Sequence, residues 1–245
     1  MPIFLTQRVL AAGLAAGLTL GIATPAIAQE EAPATDTETV AERCRAQIDR
    51  RLGDLATAED RVAEIDALTA DHAATITTII DSTEAGLAAQ SDAITAADDR
   101  AELAERCAEI ATEFRVYLVV LPQTHLTAGA DRVDQATARG DELIAKLDSA
   151  IAAASDAGAD VSAAQTLRDD AADHLTAAGA SVAGVADQVL SVTPTSWNDG
   201  DGADVIDATR TAVRNAHAEI KAGIEDGRAA VEAVRAALSD ITEDA

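Results

Sequence analysis

The sequence predicts an all-α protein, an elongated antiparallel helical bundle with coiled-coil seams, arranged as two stacked three-helix bundles. Three observations carry that expectation. Apolar and small residues recur every seven positions through six long segments, which is the signature of helices zipped along a seam. Alanine supplies 60 of the 245 residues while Phe, Tyr and Trp together supply four, so any core must be long and narrow. Only Val116–Leu121 has strand-like propensity, and it has no second strand to pair with, so it too reads as helix.

Met1–Arg8 carries a single positive charge, and Val9–Ala23 is an uncharged run of Leu, Ala, Gly and Ile. The small-x-small exit Ala26-Ile27-Ala28 follows. Residues 1–28 therefore read as a secretory signal cleaved after Ala28, leaving no transmembrane anchor. The absence of a twin arginine favours general secretion, and no Cys follows the apolar run to take a lipid. Residues 29–36, rich in Glu, Pro, Ala and Thr, read as a disordered leader.

The first bundle spans 37–121. Its first helix carries Cys44, Ile48, Leu55 and Val62 on one stripe. Its second carries Ala73, Ile80, Leu87 and Ile94 at intervals of seven. Its third opens at Asp99, with Glu102 in capping-box position, and runs through Leu103, Cys107, Ile110, Phe114 and Tyr117 to Leu121. Pro122, lacking an amide hydrogen, is expected to kink or interrupt the helix there. The second bundle, 122–243, carries the stripes Leu126–Val133–Gly140–Leu147–Ala154, Val161–Arg168–Leu175–Val182–Val189 and Ile206–Val213–Ile220–Gly227–Val234–Ile241. Ile224, Val231 and Leu238 lie beside the last. Asp156–Asp160 ends one helix and caps the next, and the Thr193–Gly202 segment is the longest turn.

The charge balance excludes one large class. With 43 acidic against 18 basic side chains the formal net charge is −25, and no Lys/Arg cluster offsets it. Such a surface repels a phosphate backbone, so no nucleic-acid partner is expected. Weak, diffuse binding of divalent cations is the compatible alternative.

Cys44 and Cys107 lack C-x-x-C or zinc-finger spacing. In an exported chain they read as one disulfide closing 63 residues, with the parallel first and third helices placing them at similar heights. His72, His125, His174 and His217 sit on four different helices without H-E-x-x-H spacing. They read as polar residues flanking seams, with a two-histidine metal site as the weaker alternative in each bundle. The acidic turn at Asn198–Asp204 fails as a calcium loop, because alignment on Gly202 puts Trp197 and Ala208 at ligand positions. Gly179–Ala183 lacks the closing glycine of a nucleophile elbow, and no glycine-rich phosphate loop occurs. The expectation is therefore no catalytic residues, no cofactor and no enzyme.

The most distinctive string is Arg115-Val116-Tyr117-Leu118-Val119-Val120-Leu121-Pro122, followed by His125. It reads as a packing plug between bundles or as an exposed knuckle for a partner, with Arg115, Tyr117, Pro122 and His125 as its contact residues. This Arg-Val-Tyr…Pro element, together with the Cys44–Arg51 start, resembles a loose group of exported, Ala-rich, all-helical proteins of actinobacterial type. The resemblance covers about residues 43–135. It implies a helical fold and export, and implies no activity. The reading that follows is an exported acidic structural or interaction protein, associated with an unidentified protein or component of the cell envelope. Its alternative is reversible binding of lipid or another amphiphile by opening amphipathic helices.

Overall fold

A computed structural model describes residues 35–243, and the expected secretory signal and most of the leader lie outside that range. The fold is all-α, with no strand among the described residues. Eight α-helices follow in order: α1 (Thr35–Glu64), α2 (Ala70–Ala96), α3 (Arg100–Thr112), α4 (Leu121–Asp156), α5 (Ser162–Val182), α6 (Val185–Leu190), α7 (Pro194–Asn198) and α8 (Asp201–Glu243). A π-helical turn at Val116–Val120 leads into α4. Helix α1 starts at Thr35, two residues inside the expected leader.

Helices α1, α2 and α3 close around one core. Ile48, Leu55, Ile80, Leu87 and Ile110 are completely buried there. These are the residues whose spacing marked the seams. Cys44 and Cys107 are joined as a disulfide with Cα atoms 5.6 Å apart, tying α1 to α3. Asp99 caps α3, its Oδ1 accepting from the Ala101 and Glu102 amides at 2.8 and 2.9 Å. Glu102 reaches back to the Asp98 amide at 3.3 Å, one residue before the cap.

Helices α4, α5 and α8 form the second group. Leu126 packs near Ile206, Val133 near Ala216, and Leu147 near Ala230 and Val234. Helices α4 and α8 therefore ascend together and α5 descends between them. This core is built largely from methyls: Ala130, Ala178 and Ala216 in one layer, Ala154, Ala164 and Ala230 in another. Such seams let backbones approach closely. A Cβ added at Gly140 would lie 2.6 Å from a Leu175 methyl.

Four local expectations are corrected. The third helix does not run to Leu121, because α3 ends at Thr112 and Arg115 takes a left-handed conformation at φ 42°. Five residues of wide i→i+5 bonding follow, with the Leu121 amide donating to the Val116 carbonyl. Val116 and Val120 then join the α1–α3 core while Val119 joins Val189, Val192 and Ile206. Pro122 does not kink a helix. It sits in the first turn of α4, directly after the π-helical turn, where the wide bonding gives way to α-helix. The stripe from Val161 to Val189 is not one helix either, since Gly184 at φ 70° breaks it between α5 and α6. Nothing lies within 4 Å of a Cβ built on Gly184, so backbone conformation rather than crowding selects glycine there. The Thr193–Gly202 segment is more than a turn. It contains α7, with Pro194 in its first turn and a reciprocal capping box between Thr193 and Ser196.

Candidate functional site

The Arg115–His125 string is assembled mostly by internal contacts. The Arg115 guanidinium donates from Nε and Nη2 to Asn198 Oδ1 at 2.8 and 2.5 Å. Asn198 Nδ2 in turn donates to the Thr112 carbonyl at 3.0 Å, so α7 clasps the end of α3. Tyr117 donates its hydroxyl to Asp54 Oδ2 at 2.8 Å, and Arg51 lies over its ring, 5.2 Å from the centroid. Partial burial and the bond to Asp54 hold the Tyr117 phenol above its ordinary pKa. Pro122 starts α4, and His125 is exposed one turn later. The structure thus brings Arg115 and Tyr117 into one clasped corner. At that corner Tyr117, neighbouring Leu118, His125 and the clasping Asn198 are exposed, while Arg115 and Pro122 are half-buried.

The histidine pairs do not form. His125 and His217 are exposed, whereas His72 and His174 each lie between carboxylates of other helices. His72 Nδ1 is 2.8 Å from Asp131 of α4, and its Nε2 is 3.4 Å from Asp187 of α6. Burial alone would lower the His72 pKa, but the hydrogen bond and charge of Asp131, joined by Asp187, outweigh it and raise the imidazole above 6.5. His174 Nδ1 is 2.6 Å from Glu219, with Asp226 3.4 Å from Nε2, and the bond to Glu219 raises this imidazole too. Seam packing, which sets the helix spacing, offers each ring a carboxylate rather than a second imidazole. Among the described residues no group of three His, Cys, Asp or Glu is placed to hold a metal.

Asp131 is the polar residue that sequence reasoning passed over. Its side chain is 2% exposed, and besides His72 it accepts from the Thr69 amide at 2.9 Å, anchoring the start of α2 to α4. Two turns earlier on α4, buried Gln123 donates from Nε2 to the carbonyls of Val189 and Val192, at 2.9 and 2.8 Å. Those carbonyls belong to the end of α6 and to the chain just beyond it, where intrahelical donors have run out. The signal was present, because Gln123, Thr127 and Asp131 recur at intervals of four on a helix face and all are buried. Polar residues on the inward face mark where helix ends need partners.

The second surface feature is a trough between α4 and α8, with a cavity volume of about 710 Å³. Leu143, Ile144, Ile224 and Val231 line it, with glycines at 140, 223 and 227. Leu143 is 62% exposed, and Ile224 and Val231 are also large apolar side chains facing solvent. Leu238, seven residues beyond Val231, continues the same exposed stripe. Lys146, Arg228 and Arg235 line the trough, and Glu232 is its one carboxylate.

Comparison with protein-family models, with curated proteins and with solved structures finds no match.

Proposed function

We propose that this chain is an exported, acidic helical interaction protein of the cell envelope that works by holding a partner and not by catalysis. The observation that carries the reading is the gathering of the exposed large apolar side chains at two places. Tyr117 and Leu118 lie at the clasped corner, and Leu143, Ile224, Val231 and Leu238 lie along α4 and α8. Contiguous apolar surface of this kind marks interaction sites. The resemblance to exported Ala-rich helical proteins supports the location.

Crosslinking on intact cells with a membrane-impermeant reagent tests this. The expected result is a discrete crosslinked species containing the chain. A chain found wholly in the cytoplasm, or diffusing freely in the medium as an uncrosslinked monomer, overturns it.

A second reading is reversible binding of lipid or another amphiphile. The placement of the disulfide favours it, because α1 and α3 are tied while α4, α5 and α8 contain no such tie and remain able to open. Flotation with liposomes is the test. Binding carried by α4–α8 is expected to be insensitive to reductant, and absence of binding with and without reductant ends this reading.

A further inference from the structure

We infer that the trough between α4 and α8 is the seat of an acidic amphipathic helix, which a partner protein lays in as a fourth helix beside α4, α5 and α8. The inference rests on the interaction reading above and names the chemistry of the partner.

The apolar pattern comes first. On α8 two rows turn towards α4 and α5: Thr209, Ala216, Gly223 and Ala230 are buried, and Ile206, Ile220 and Val234 pack beside them. The adjoining row, Ile224, Val231 and Leu238, also repeats every seven residues and is exposed. The two buried rows already make a complete seam with α4 and α5, so the exposed row is a third one, which the fold leaves uncovered. On α4, Leu143 and Ala150 repeat at seven across the trough. Gly227 adds a second observation. A glycine inside a helix costs about 1 kcal/mol relative to alanine. Gly140 is explained by Leu175, and Gly223 by the Ala171 carbonyl 3.1 Å from a built Cβ, but nothing within 4 Å explains Gly227. It lowers the floor of the trough instead.

Charge then selects the occupant. Arg228 and Arg235 are seven residues apart beside the open row, Lys221 extends their line by another seven, and Arg139 and Lys146 do the same on α4. Among the described residues Lys146, Arg228 and Arg235 pair with no carboxylate, whereas Lys221 pairs with Glu225 at 3.8 Å. Basic residues flanking a seam at heptad spacing match a helix with acidic flanks. A symmetric dimer through this face would set these cations against their own copies, which disfavours a second copy of the chain. An acyl chain would use the apolar floor but has no use for the three cations that line it, Lys146, Arg228 and Arg235. The net charge of −25 does not forbid an acidic partner, because charges beyond about 8 Å are screened at physiological salt while the rim cations lie within contact distance.

The test uses the purified protein and a fluorescent three-heptad peptide with Leu at positions a and d and Glu at e and g. A twin peptide with Lys in place of Glu serves as comparison, and anisotropy at physiological salt is the readout. The Glu peptide is expected to bind and the Lys peptide to bind more weakly, the reverse of what overall charge would give. Val231→Asp, at a position already exposed, is expected to weaken the Glu peptide by roughly tenfold or more with unchanged helix content. The triple change Lys146→Glu, Arg228→Glu and Arg235→Glu is expected to turn the preference to the Lys peptide. A preference for the Lys peptide in the unaltered protein, or affinity indifferent to Val231→Asp, overturns the inference. So does occupation of the trough by dodecanoate with no binding of the Glu peptide. Cell-surface crosslinks that persist in Val231→Asp would keep the interaction reading and remove the trough from it.

Discussion

The two three-helix groups share a heptad period and differ in what occupies it. In α1–α3 the inward positions hold Ile48, Leu55, Ile80, Leu87 and Ile110, all fully buried, and a disulfide ties the first helix to the third. In α4, α5 and α8 the inward layers are largely alanine, while Leu143, Ile224, Val231 and Leu238 stand outside. Burying a whole Leu or Ile contributes about 1.5–3 kcal/mol, against about 0.8 for one methylene-sized group. The first group therefore spends its large side chains on itself. The second closes on methyls and leaves large side chains available to something else. Period alone says that a helix has a seam, and residue size says whether the protein has already filled it.

Removing the disulfide gives the largest expected break in that comparison. Closure of 63 residues is worth about 4 kcal/mol in the chain-entropy account. The double change Cys44→Ser and Cys107→Ser should lower stability by that order, with amide exchange accelerating in α1–α3 well before α5 and α8. Equal acceleration throughout would mean that the two groups unfold as one and that their different cores do not matter.

Next in size is Gly140→Ala. The new methyl meets Leu175 methyls at 2.6 and 2.7 Å, and Leu175 is itself buried between α4 and α8. A loss of about 1–3 kcal/mol in denaturant unfolding is expected for such overpacking. Gly86→Ala in the first group is the companion measurement. It would strike the ring edge of Phe114, which is only partly buried and has room to swing, so its loss should be smaller.

The sequence made the fold class legible because heptad spacing survives translation into packing with little loss. Ile80, Leu87 and Ile94 at intervals of seven are all buried on α2. Breaks were harder to read. Gly184 and Arg115 end helices by taking positive φ, and in a chain with 14 glycines a lone Gly within a good pattern does not announce that. The clasp of Arg115 by Asn198 joins residues 83 apart, and the bond from His72 to Asp131 joins residues 59 apart. Pairings at such range depend on the mutual rotation of helices, which periodicity does not fix. The trough was half visible. The Ile224–Val231–Leu238 row lay in plain view beside the inward rows, but its exposure depends on which helices pack against α8, and no local signal carries that.

The pH dependence probes the link between the groups. A histidine whose folded pKa is raised contributes stability fully present below its unfolded value of about 6.5, and lost as pH rises through the folded value. The carboxylates facing His72 are Asp131 from α4 and Asp187 from α6, with Asp134 nearby. Desolvation and the Asp131 charge raise the Asp134 pKa, so its ionisation disfavours the fold too, but in the carboxylate range and below the histidine window. Melting temperature should therefore fall from pH 6 towards pH 8, and His72→Gln should flatten the fall. His174→Gln, at a more exposed imidazole, should flatten it less. An identical slope in wild type and His72→Gln would place the pH dependence in the general acidic surface instead.

Gly227→Ala is the smallest expected effect and the sharpest test of the idea that α8 leaves its trough-facing row open. In a helix interior with no atom within 4 Å of the new methyl, the change should stabilise by about 0.5–1 kcal/mol, raising the melting temperature by roughly 1–4 °C. Gly223→Ala, four residues away on the same helix, should go the other way, because its methyl would sit 3.1 Å from the Ala171 carbonyl, an atom fixed in the backbone of α5. Opposite signs at neighbouring glycines would show that one is held by the fold and the other by the space it leaves open. Loss of stability at both would mean that Gly227 is packed in solution, and that the second group closes on itself as fully as the first.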